Sequence, residues 1–457
     1  MSIKNISKLK FEAMIFIREP AAEFQFEEVE WFEAYGKLIA MIAKSRIDED
    51  FNYIIFARDE RRVFRFHDIG MPFLETQEEV RAALMEKLAP YAEDGKTFYE
   101  ASPIKKRITD LFVPASRVSS PNPLFTMLRE KPYYEAARNL IEIAAYTYFD
   151  NDGNFIRDFQ TSEFNNRLWE LFLHIYFTKR YLKRDYNQTI PDFCLKIFDY
   201  DLAVEAVTVN PNPSFDEENP VGVEQLHAFT QDYMPIKYHR TLSRKLEKKY
   251  HELAHVAGKP LLFAVHDYHI QGSGQALGSM VWTRQALQEY LYGYRRVCKI
   301  VGEDLICAGE DVPFEKIDGH HWKGASAPSG FFDLPGSEHV SAVLFASNAT
   351  IPTFNRMGKL AELGSVDLKI TRWYQQYNPK TETFESKKSD VDDPTYEEDW
   401  GDSVAIYHNP RALVPLDGAV FYDASHFYFD PARTGVVAFY GPRYTPAAHS
   451  KSEVPKL

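Results

Sequence analysis

The sequence predicts an α/β protein whose central domain is a mixed sheet flanked by helices. Three observations carry that expectation. A helix-period segment over 163–177 is followed by short apolar strands over 192–198 and 202–209. A second helical stretch over 235–257 leads through Gly258-Lys259-Pro260 into the continuous apolar run Leu261-Leu-Phe-Ala-Val265. Strand–helix–strand connections of this length imply parallel pairing and a sheet covered on both faces.

Taken in order, residues 1–115 form a small N-terminal α/β domain. Its pattern predicts a helix over 31–44, then a hairpin in which 53–57 and 63–66 bracket the charged turn Arg58-Asp-Glu-Arg-Arg62. Thr76 and Glu79 have the spacing of a capping box ahead of a helix that ends near Leu88. The Pro- and Ser-rich stretch 114–123 is a linker. The core, 130–300, opens with a helix over 133–146 and a turn over 150–154. After the two strands comes a loop with Pro211, Pro213, Pro220 and Pro235. In the C-terminal region, 301–457, strands are expected over 339–349 and 405–410. Whether that region extends the core sheet or stands alone is open at this level.

Composition narrows the class. The 457 residues are 45% hydrophobic and 15% aromatic, which is the make-up of a folded chain with sizeable cores. No apolar run is long enough to span a membrane, and the first residues lack a secretory signal pattern, so a cytoplasmic location with no membrane partner is the expectation. Cys194, Cys298 and Cys307 are odd in number and widely spaced, the usage of free thiols in a reducing compartment. A net charge of −13 excludes a protein coated in phosphate-binding surface. Two basic clusters stand out locally: Lys179, Arg180, Lys183 and Arg184, and the run Lys237, Arg240, Arg244, Lys245, Lys248, Lys249. They flank the acidic candidates on both sides.

The helix over 163–177 carries the chemistry. At 100° per residue, Glu163, Asn166, Arg167, Glu170 and His174 share one narrow side, while apolar residues cover nearly all the rest. Such a helix is buried, and its charges need partners or a metal. Asp192 follows Pro191 at a strand start, and Glu205 interrupts the apolar strand Leu202-Ala-Val-Glu-Ala-Val207. Three carboxylates from separate elements suit Mg²⁺ or Mn²⁺, whose hard-oxygen preference leaves room for water and substrate phosphate. Arg167 is expected to orient Glu170. The Gly272–Gly278 segment lacks dinucleotide-loop spacing, and the histidine pairs His266/His269 and His320/His321 lack zinc-site partners.

The order Glu170 on a helix, Pro191-Asp192, then Glu205 on an apolar strand resembles the PD-(D/E)XK nuclease superfamily over residues 160 to 270 or so. The resemblance implies a restriction-endonuclease-like core in which Glu170, Asp192 and Glu205 bind one or two divalent cations. It implies hydrolysis of nucleic acid, DNA more than RNA, with Mg²⁺ or Mn²⁺ as cofactor. The family's lysine two residues after the strand acid is Val207 here. In some members that lysine comes from a nearby helix, and Lys249 and Lys245 both border the buried face of the 235–257 helix, with Lys248 nearly opposite. Either is the candidate replacement. Two alternatives accompany this expectation: a catalytically inactive binding or scaffold protein of the same fold, and an unrelated enzyme with its site in the C-terminal third around Arg356 and His408.

Overall fold

A computed structural model describes residues 2–15, 25–99, 110–115, 120–150, 153–211, 222–269, 281–296, 299–301, 304–306, 314–432 and 434–453. Pro213, Pro220, the Gly272–Gly278 segment, Cys298 and Cys307 lie outside the described residues, as do parts of the expected linker and of the turn over 150–154.

The N-terminal unit is a five-stranded antiparallel sheet in sequential order: β1 (Ile3–Ile6), β2 (Phe26–Ala34), β3 (Leu38–Ser45), β4 (Phe51–Arg58) and β5 (Phe64–Ile69). The helix expected over 31–44 is therefore replaced by a hairpin, turned at Tyr35 and Gly36, both with positive φ. The reason is two-sided burial. In β3, Leu38, Ala40 and Ile42 enter one core while Ile39 and Met41 enter another, so the central strand shows no period of two. Helix α1 (Lys8–Met14) covers the second face and α2 (Gln77–Leu88) the first. The expected β4–β5 hairpin is present, and so is the capping box: Glu79 N donates to Thr76 Oγ1 at 3.3 Å and Thr76 N to Glu79 Oε2 at 3.2 Å.

Helices α3 (Pro123–Glu130), α4 (Glu135–Thr147), α5 (Phe155–Gln160) and α6 (Phe164–Thr178) follow. The next strands are β6 (Lys183–Arg184), β7 (Phe193–Ile197) and β8 (Tyr200–Val209). After α7 (Gly222–Ala228), a π-turn and α8 (Met234–Leu246), the chain enters β9 (Leu261–Asp267), then α9 (Val281–Tyr292). Six short strands, β10 (Tyr294–Arg296) to β15 (Ala325–Pro328), pair into small two-stranded ladders. β16 (Ala342–Phe345), α10 (Ile351–Leu360), β17 (Lys369–Asn378), β18 (Thr383–Asp390), β19 (Ala405–His408), β20 (Ser425–Asp430), β21 (Gly435–Phe439) and β22 (Ala447–Glu453) complete the order.

The core is an eight-stranded mixed sheet, ordered β21-β20-β19-β16-β9-β8-β7-β6. β7 and β8 form an antiparallel hairpin, β8 runs parallel to β9, and β9 parallel to β16. The C-terminal region thus supplies β16, β19, β20 and β21 to the same sheet as the acidic strands, and β17, β18 and β22 form a separate three-stranded sheet. Alternation along β8 sends Leu202 and Val204 towards α4 and α6, and Ala203, Val207 and Val209 towards α8 and α9. Burial on both faces is what the strand–helix–strand order demands. Trp169 on α6 donates its indole N–H to Ala264 O of β9 at 2.9 Å, locking helix to sheet. Among the described residues no helix is long and apolar enough to cross a membrane.

One element differs from expectation close to the site. The helix expected to run unbroken to Ala257 ends at Leu246, and Lys249 adopts a left-handed conformation, φ 49°. A short 3₁₀ turn, Tyr250–Glu252, follows.

Candidate active site

The polar stripe of α6 faces the β7–β8 hairpin across a cleft of about 870 Å³. Glu170 sits on that stripe in a buried position. Arg167 Nη1 donates to both of its oxygens, at 3.0 and 2.9 Å, and Tyr148 donates its hydroxyl to Oε2 at 2.8 Å. Arg167 also reaches Asp158 Oδ2 at 2.7 Å, so it orients Glu170 as its position on the stripe suggests. His174 belongs to the stripe in sequence alone: its Nε2 is 2.8 Å from Thr147 Oγ1 on α4, apart from the cleft.

Asp192 enters from the residue before β7. The half-buried Arg184, its guanidinium 5.0 and 4.8 Å from the ring centroids of Tyr148 and Phe193, donates to its backbone carbonyl at 2.6 Å. The Asp192 carboxylate accepts the Ala206 amide N–H at 2.8 Å and lies beside Glu205, whose Oε2 is 3.4 Å from the Asp192 amide. Asp192 has no ion pair among the described residues. Burial first, then the charges of Glu205 and Glu170, raise its carboxyl well above the ordinary range.

Glu205 is 5% exposed in mid-strand. A charge there is tolerable only when paired, and two groups converge on its Oε1: Lys245 Nζ at 2.5 Å and the Tyr250 hydroxyl at 2.6 Å. Burial and then the Glu205 charge hold the Tyr250 phenol protonated, fit to donate. Lys245 comes from the last turn of α8, so this side of the cleft is built by β8, α8 and the turn after it.

The two lysine candidates separate here. Lys245 reaches Glu205. Lys249 does not: its side chain is 62% exposed and pairs with Glu252 at 3.2 Å. The left-handed residue turns Lys249 outward so that Tyr250 can point in. Lys248 is exposed, as expected, and also borders the cleft. Val207 is buried against the α8–α9 core and also borders the cleft.

Glu170, Asp192 and Glu205 therefore line one cleft but do not close into a cage. Among the described residues no group of three His, Cys, Asp or Glu side chains stands ready to hold a metal ion. The physical cause is visible: Glu170 is engaged by Arg167 and Tyr148, and Oε1 of Glu205 by Lys245 and Tyr250. The donors still suit a hard cation. Asp158, Glu163, Glu170, Asp192 and Glu205 line the cleft against Arg167, Lys245 and Lys248, an excess of acid over base. Mg²⁺ commonly binds through one or two carboxylates plus water and substrate phosphate, without an all-protein cage. Asp192 and Glu205 fit that pattern, with Glu170 as an outer member.

The C-terminal candidates sit in buried polar contacts. Arg356 is buried, forks onto both oxygens of Glu398 at 2.8 and 2.7 Å, and also donates to Ser450. His408 contacts His426 at 2.8 Å, and burial followed by the His426 charge depresses its imidazole to about 3.

No protein-family profile, curated protein or solved structure matches this chain. The function must be argued from the site itself.

Tyr148, Tyr250 and Arg184 are functional neighbours that the acidic motif alone does not reveal. Tyr250 had one signal in the sequence, a hydroxyl on the apolar face of its segment that must find a partner, while Arg184 stood only as a member of a basic cluster.

Proposed function

We propose that this cleft hydrolyses phosphodiesters of nucleic acid with Mg²⁺ or Mn²⁺, as a divergent member of the PD-(D/E)XK nuclease superfamily. The observation that carries the reading is the meeting of Asp192 and Glu205 on adjacent strands with Lys245 from a helix. In this reading Lys245 takes the part of the strand lysine that position 207 lacks. The surrounding arrangement agrees with a restriction-endonuclease-like core: an acidic hairpin, a parallel strand beside it, α6 on one face and α8 on the other.

Asp192 and Glu205 would hold the cation, which supplies neutralisation of charge on the transferred phosphoryl group. The protein supplies position. Arg184 and the Ala206 amide fix Asp192, Tyr250 fixes Glu205, and Arg167 with Tyr148 fixes Glu170. Lys245 orients the attacking water and adds a positive charge beside the phosphoryl oxygens. The water's oxygen bonds to phosphorus as the bond to the bridging oxygen breaks; the water's proton passes to bulk solvent, and solvent returns one to the departing alkoxide. DNA is the first substrate to test, and a cytoplasmic enzyme is the setting we infer.

A second reading, binding without cleavage, draws on one observation: Glu170 is fully occupied by Arg167 and Tyr148. Labelled DNA and RNA incubated with Mn²⁺ separate the two. Cleavage by the wild type and none by an Asp192→Asn/Glu205→Gln double variant supports the nuclease. Retention of labelled strands without cleavage by either preparation supports the binding protein, and equal cleavage by both removes the acidic site from consideration.

A further inference from the structure

Three cations line the cleft, and two are committed. Arg167 is bound to Asp158 and Glu170, and Lys245 to Glu205. Lys248 is different: it is exposed at the cleft mouth and has no side-chain partner among the described residues. An ammonium standing unpaired beside a surplus of carboxylates is placed for an anion brought by the substrate.

The geometry along α8 says which anion. Thr241 and Lys245 on α8, and Lys248 in the turn that follows its end at Leu246, all line the cleft. The Lys248 amide donates to the Lys245 carbonyl at 3.2 Å, so the two residues sit one turn apart at the end of α8. A nucleic-acid strand presents one negative charge per about 3.4 Å of axis. With flexible four-carbon stems, two lysines so spaced match two successive phosphates. On the opposite wall, α6, Arg167 already neutralises Glu170, so the uncommitted cation of the cleft lies on the α8 side.

We propose that Lys248 grips the phosphate next to the one under attack, so that the site takes a polynucleotide backbone and not an isolated phosphodiester. This rests on the nuclease reading, with Lys245 at the reacting phosphate. It assigns to Lys248 the part of a binding and positioning residue.

The test uses the full chain, Ca²⁺ in place of Mg²⁺, and fluorescence anisotropy of labelled single-stranded DNA. One probe has every linkage replaced by neutral methylphosphonate except one phosphate; the other keeps two adjacent phosphates. Wild-type protein is expected to bind the two-phosphate probe about fivefold more tightly, the worth of one exposed ion contact. Lys248→Ala and Lys248→Gln should each erase that preference, and on unmodified DNA lower the logarithmic salt slope by about one. Lys249→Ala should keep both, which separates a placed contact from general basicity. A preference that survives in both Lys248 variants overturns the proposal and leaves the nuclease reading standing. So does the absence of any preference in the wild type. Failure of the wild type to bind even unmodified DNA overturns the nuclease reading itself. Melting curves for each variant confirm that a lost preference is not lost folding.

Discussion

Lys245 Nζ lies 2.5 Å from Glu205 Oε1, joining the last turn of α8 to the middle of a core strand. In the proposed reading, the pair does by tertiary contact what a lysine two places further along β8 would do locally. Lys245→Ala is expected to lower DNA cleavage by about 10² or more, since a positioned charge and an oriented water are lost together. Lys249→Ala should stay within about twofold of wild type, because its ammonium pairs with Glu252 at the surface and such pairs contribute little. Single-turnover cleavage in Mn²⁺ measures both. A collapse in Lys249→Ala with an active Lys245→Ala would reverse the assignment.

Asp192 predicts a pH signature. Burial and two neighbouring carboxylates push its carboxyl up to about 8. A folded-state pKa raised above the unfolded value means that the fold prefers the protonated acid. The associated stability is present below the unfolded value, about 3.9, and is lost as pH rises towards 8. The Tm in EDTA should therefore fall across that window. Saturating Mn²⁺ should restore it, since the cation binds the ionised form and expels the proton. Asp192→Asn should flatten both the pH trend and the Mn²⁺ response. Calorimetry scans at several pH values, with and without Mn²⁺, decide the matter; a Tm indifferent to the cation would count against a metal at Asp192.

Tyr250 touches a proposed ligand without being one. Tyr250→Phe removes a 2.6 Å hydrogen bond to Glu205 and little else. Groups that orient ligands of a metal are commonly worth a factor of 10 to 100 in affinity, and about tenfold weaker Mn²⁺ binding is expected here. Electron paramagnetic titration of Mn²⁺ reads this directly. Unchanged affinity would mean that Lys245 alone sets the Glu205 carboxylate.

Arg356 and Glu398 offer a contrasting case. Their forked pair is almost fully buried, with side chains 4% and 0% exposed. Arg372 lies near the same carboxylate at 3.5 Å, and the two guanidinium charges outweigh burial to hold Glu398 at about 2. Glu398→Gln strands buried charge, for which about 3–5 kcal/mol of stability is the usual cost. Urea denaturation should show that loss, while per-molecule cleavage by the folded fraction stays at the wild-type level. A large catalytic defect in fully folded protein would instead restore the C-terminal third as a site.

Much of the site was legible from residue patterns, for identifiable reasons. Helix α6 is apolar nearly all round, so its polar stripe had to face something, and Glu205 in mid-strand had to be paired. Those two constraints, with Asp192 between them in the chain, predicted the cleft. What escaped was set by contacts distant in sequence. Strand β3 was obscured because both of its faces are buried, which erases the alternation that marks a strand. The end of α8 has neither glycine nor proline to announce it. A left-handed lysine costs about 1–2 kcal/mol locally, and the Tyr250–Glu205 hydrogen bond across the fold offsets that. For the same reason no helical wheel could choose between Lys245 and Lys249, or bring Lys248 to the cleft.

The position of β9 between β8 and β16 has a practical outcome for anyone who wishes to cut the protein into parts. A fragment that stops after residue 300 would keep Asp192, Glu205 and Lys245, yet present one whole side of β9 with its amides and carbonyls unbonded and apolar. Such an edge is adhesive. The excised half would aggregate or seek its missing strands from a second polypeptide, and reassembly in trans of two co-expressed pieces, not solubility of either alone, is the behaviour to look for.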